Sequence, residues 1–188
     1  MKSTRPKAAF VVMILYADAL FVLGLAAYWL APDKSNALTA LIVPGVCMLL
    51  MHACAVMSRM LDRNRALGMI GIHAGLVLPL VFAVAFAVRG AAAAQGVEDH
   101  RVAADRYVAA VRSGDIANDT AEARGAFMAR QVVDGRKAPE HDKSTLRNIL
   151  YALSGLSAAA FVVLLTLRPK PTQRSASQEP RVQADPES

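Results

Sequence analysis

Cysteine is almost missing: Cys47 and Cys54 are the only two in 188 residues, and no C-x-x-C occurs. A disulfide-stapled scaffold and a thiolate zinc framework are therefore excluded. Aromatic residues are 6% of the chain and Trp29 is the one tryptophan, too few for a base-stacking platform. Charged residues are 19%, against roughly 25% in a soluble domain. Glycine-rich phosphate loops, G-x-S-x-G elbows and H-E-x-x-H helices are absent, so no enzyme can be assembled from named residues. What is plentiful is apolar: 55% of the chain, gathered into four long runs with the charges between them. Neither a disordered chain nor an ordinary soluble domain has that distribution.

A hydrocarbon core about 30 Å thick takes around 20 helical residues to cross. Runs at 8–31, 37–57, 66–88 and 149–167 meet this, and Asp18 is the one charge inside them. The pattern predicts an all-α polytopic integral membrane protein with four transmembrane helices. Lys2, Arg5 and Lys7, then Arg59, Arg63 and Arg65, then Arg168, Lys170, Arg174 and Arg181 lie on one side, against Lys34 in the short turn opposite. The positive-inside rule then puts both termini in the cytoplasm of a bacterial inner membrane, with 89–147 outside. Tyr28, Trp29 and Tyr151 fall at the outer interface. A cleaved signal peptide ending at Gly24-Leu25-Ala26 is the alternative for the first run, but the apolar stretch is too long and Asp18 interrupts it.

The outer loop carries both signs in near balance and offers no basic patch for nucleic acid. It is expected to hold two short helices lying on the membrane. An Ala-rich exit over 90–96 precedes 98–112, where Ala103, Ala104, Tyr107, Val108 and Val111 share a face and Arg101 pairs with Asp105. Asp119, with Glu122 three residues on, suggests a capping box for a helix to Val133. Residues 134–143 read as a linker, and Ser144 as the cap of the fourth span. The proline-rich, charged segment 168–188 reads as a disordered cytoplasmic tail whose basic start touches anionic lipid.

Three polar residues stand within the spans. Asp18 lies near the bilayer centre, where a charge costs at least about 2.5–3.5 kcal/mol, and is expected to face the bundle interior. Its readings are an interhelical hydrogen bond, a proton or ion path, and a ligand contact. His52 and His73 fall at similar depths on neighbouring antiparallel spans, as two axial haem ligands would. Cys47, Met48, Met51, Cys54, Met57, Met60 and Met69 nearby are soft enough for copper. Against a cofactor stands the Gly71/Gly75 ridge: if it packs on the second span, His73 points away from His52. The expectation is therefore no cofactor and no metal, with each histidine bonded to a neighbouring carbonyl or hydroxyl. Pro44 and Pro79 are candidate hinges. Gly155 and Ala159 form a second close-packing ridge.

The run Ala37-Leu38-Thr39-Ala40-Leu41-Ile42-Val43-Pro44-Gly45, then Asn64-Arg65-Ala66 and a small-residue third span with His73, resembles small bacterial membrane proteins with a TALIP-type second span. It is more distantly similar to the transmembrane protein 14 family. The resemblance implies a multi-span topology over about residues 10–90, extends weakly to 144–168, and implies no activity. The leading functional expectation is a non-enzymatic structural or interaction component, embedded in the lipid bilayer, that packs on itself or on another membrane protein. A small carrier or proton-coupled pathway centred on Asp18 is the alternative. Haem or copper binding by His52 and His73 ranks third.

Overall fold

The computed structural model describes residues 5–31 and 34–167. The expected tail over 168–188 and the first four residues lie outside them. Five helices dominate: α1 (Arg5–Leu30), α2 (Lys34–Arg59), α3 (Arg65–Ser113), α4 (Ala121–Met128) and α5 (Ser144–Thr166). A 3₁₀ turn, Met60–Asp62, links α2 to α3, and a two-stranded hairpin of β1 (Val132–Val133) and β2 (Arg136–Lys137) follows α4. Four of the helices are long and apolar enough to cross a membrane. The chain is an all-α four-span membrane protein.

The spans form a ring in which α1 packs on α2, α2 on α3, α3 on α5, and α5 back on α1. Met13, Tyr16, Ala17 and Leu20 lie at the i, i+3, i+4, i+7 spacing that aligns one helix face. They meet Met51 and Ala55 of α2, Phe82 and Phe86 of α3, and Leu153, Ala160 and Leu164 of α5. The outer wall is equally apolar: Leu15, Val22, Leu49, Val84 and Val162 keep more than half of their surface exposed. Such a belt is ruinous in water and neutral in lipid.

Small residues decide how closely the helices approach. A methyl group on Gly71 would lie 2.6 Å from the Ser58 backbone nitrogen and 2.7 Å from Met57 Cβ, so the Gly71 side of α3 is pressed on α2. Gly24 makes room for Pro44, whose Cβ would be 2.7 Å from an added methyl. Pro44 and Pro79 both sit within continuous helix, α2 and α3 respectively. The Gly155/Ala159 ridge does not pack inside the bundle. Both residues are exposed, and a methyl on Gly155 would touch nothing within 4 Å.

The expected exit at 90–96 and separate helix at 98–112 are one helix with the third span. α3 runs for 49 residues, about 73 Å at 1.5 Å per residue, more than twice the hydrocarbon thickness. Ala91 to Ala94 are strong helix formers, and the chain stops only at Gly114, whose φ of 85° is left-handed. Gly90 and Gly96 survive inside because neighbours use their space: Tyr151 lies against Gly90, and Lys143 and Pro139 against Gly96. The loop is thus a rising helix with a small cap folded back on it, rather than two short helices.

Within that cap, α4 starts one residue later than expected. Thr120 Oγ1 accepts from Ala123 N at 3.1 Å, while Asp119 accepts from the Tyr107 hydroxyl at 2.6 Å and pushes that hydroxyl's pKa up. The helix ends at Met128, short of Val133. The expected linker opens with the turn and second strand of a hairpin, because Asp134-Gly135 supplies two consecutive positive φ angles, 47° and 76°. Ala103, Met128, Val133 and Ala138 form its own small core. Asp99, buried on α3, takes two 3.1 Å hydrogen bonds from Arg136, which raise the guanidinium's pKa. Arg101 pairs with Glu98 at 2.9 Å rather than with Asp105. Ser144 does not cap α5. Its hydroxyl and amide both donate to Asp142, at 2.7 and 2.9 Å, and hold that carboxyl below its usual value.

Candidate functional site

Two of the three polar residues singled out within the spans, Asp18 and His52, lie where α1 meets α2. Arg59 stacks over the Phe10 ring at 5.0 Å and marks the end of the bundle shared by the α2–α3 turn. Asp18 is eight residues along α1 from Phe10, about 12 Å deeper, and His52 seven residues back along α2 from Arg59, about 10.5 Å deeper. The two side chains meet, with His52 Nε2 at 3.5 Å from Asp18 Oδ1.

Asp18 does not face the bundle interior. Its side chain is 57% exposed and that of His52 35%, so the pair opens onto the outer wall. The buried stripe of α1 contains Tyr16, Ala17 and Leu20. Asp18 lies off it and shares its helix face with Val11, Leu15, Val22 and Trp29, all exposed.

His52 Nδ1 lies 3.0 Å from the Met48 carbonyl oxygen and donates to it, which leaves Nε2 turned toward Asp18.

His73 is placed elsewhere. Its Nδ1 donates to the Met69 carbonyl at 2.8 Å, and the ring is exposed. Gly71 and Gly75 face α2 and Met13, and His73, two residues from each, turns the opposite way. His52 and His73 therefore do not face one another across a porphyrin-sized gap. Met51 and Cys54 are buried in the bundle while His52 opens outward, which splits the soft ligands between two faces. Among the described residues no three His, Cys, Asp or Glu side chains converge.

One polar contact escapes a reading of the sequence. Buried Tyr16 donates to Ser157 Oγ at 2.8 Å, joining α1 to α5, and Ser157 donates onward to the Leu153 carbonyl at 2.7 Å. Ser154 similarly donates to the Ala83 carbonyl of α3 at 2.9 Å. The available signal is a tyrosine on the same helix face as Met13 and Leu20, with hydroxyls among small residues on α5. No family model, curated protein or solved structure matches this chain.

Proposed function

We propose that the chain is a non-enzymatic, multi-pass component of a bacterial inner membrane, both termini cytoplasmic, that associates with a second membrane-spanning chain through the α1/α2 face. The exposed Asp18–His52 pair carries this reading. A polar pair at mid-depth on the outer wall meets lipid in the monomer, with the Asp18 side chain more than half exposed. A helix laid over it would supply polar contacts and remove that cost. The exposed Gly155 and Ala159 on α5 give a second face for close approach.

A photo-crosslinking side chain at Leu15 or Val22, flanking Asp18 on the exposed face, tests this in native membranes. Protein adducts are expected from both positions, reduced by Asp18→Leu, with lipid adducts only from Val84 on α3. Lipid adducts alone from Leu15 and Val22 would refute association through this face. A pH-dependent flux in proteoliposomes, lost in Asp18→Asn, would instead favour a proton-coupled pathway through the same pair.

A further inference from the structure

At the end of the bundle away from Arg59, a cavity of about 800 Å³ opens between the four spans and the segment that follows β2. Its volume lies in the range of small-molecule sites, about 300–1,000 Å³. The lining is divided by depth. Ala27, Val43, Pro44, Phe86, Leu150 and Leu153 make an apolar shaft between the helices. Above it the rim is polar, with Arg89 on α3, Lys137 at the end of β2, and Glu140, His141, Asp142 and Lys143 on the covering segment.

The rim holds more cations than anions: Arg89, Lys137 and Lys143 stand with Glu140 and Asp142, and none of the five is in an ion pair with a described residue. Both Asp142 oxygens accept from Ser144. The rim is held in place: Ala138 is buried and donates to the Gln131 carbonyl at 3.0 Å, and His100 bonds the Pro139 carbonyl at 2.9 Å. A surplus of cations thus stands over an apolar shaft, on backbone that is held in place.

We infer that this cavity binds an anionic amphiphile, with an aliphatic chain in the shaft and a phosphate or carboxylate head at Arg89 and Lys143. Apolar walls exclude a fully polar solute, and unpaired cations at the mouth favour a negative head. The site lies apart from the Asp18–His52 pair, so its test and the crosslinking test fail separately.

Native mass spectrometry of the full chain from maltoside micelles reads the binding. The probe is palmitoyl lysophosphatidylglycerol, compared with neutral monopalmitoylglycerol and with glycerol 3-phosphate. One tightly held copy of the lysolipid per chain is expected. Ala40→Phe, which narrows the shaft, should weaken it at least about tenfold, the worth of two methylenes withdrawn from an apolar site. Thr145→Trp, at an exposed rim position, is the second filling variant and should act in the same direction. Arg89→Gln should cost about fivefold for the lysolipid and leave the neutral glyceride unchanged. Equal binding of lysolipid and glyceride would overturn the anionic head. Glycerol 3-phosphate competing as well as the lysolipid would overturn the chain site. Undiminished lysolipid binding in Thr145→Trp and Arg89→Gln would assign the adduct to the general lipid belt and overturn the cavity.

Discussion

Asp18 and Tyr16 stand two residues apart on α1 and turn to opposite sides of it. Tyr16 buries its ring and spends its hydroxyl on Ser157 of α5, while Asp18 meets His52 at the outer wall. In a span that is apolar all round, hydropathy ranks both faces alike, so the side on which each polar group lands is invisible in the sequence. The buried pair makes an asymmetric prediction. Tyr16→Phe removes the donor but leaves Ser157 bonded to Leu153, and should cost about 0.6–1 kcal/mol, as interhelical hydrogen bonds in membranes do. Ser157→Ala strands a buried tyrosine hydroxyl and should cost more, about 1–3 kcal/mol. Detergent-titration unfolding in mixed micelles measures both, and equal losses would contradict the assignment.

At the scale of elements, the glycines separate into those that set a helix contact and those that do not. Gly71 meets backbone of α2, which cannot give; Gly75 meets the flexible end of Met13; Gly155 meets nothing. Gly71→Ala should therefore force α2 and α3 apart and cost about 1–3 kcal/mol, with Gly75→Ala milder. Gly155→Ala should be neutral or stabilising by about 0.5–1 kcal/mol, through helix propensity alone, if its face meets only lipid. Melting curves of the three variants give the order, and a reversal of Gly71 and Gly155 would refute it. The same residue type divides α3 in two by local pattern, since Gly90 and Gly96 look like breaks. Their cost inside a helix is about 1 kcal/mol each. Tyr151 packing on Gly90, and Pro139 with Lys143 beside Gly96, offset it through contacts that local pattern does not contain.

For the whole molecule, the four spans were legible because length and composition suffice, and the bundle adds only their order around the ring. The basic flanks set an expected sidedness that is open to direct measurement. Cys47 and Cys54 are buried, so a Thr120→Cys variant, exposed beside α4, supplies the one accessible thiol among the described residues. An impermeant maleimide should label it from outside the inner membrane. Labelling only after that membrane is opened would invert the topology.

Apolar length alone determined that this chain crosses a membrane four times, because lipid demands helices whose side chains are apolar and whose backbone bonds are internal. The left-handed stop at Gly114 was equally local, since it depends on a φ that few residues adopt, whereas the Asp134-Gly135 turn, expected as linker, became a hairpin through the pairing of β1 with β2. Only the tertiary structure decided that His52 pairs with Asp18 rather than His73, that both open outward, and that a charged rim covers an apolar shaft. Those outcomes depend on how each helix is rotated about its axis. Rotation is set by close packing at Gly71, Gly24 and Ser157, and lipid and protein interior, being alike in polarity, give hydropathy no means of telling the two sides apart.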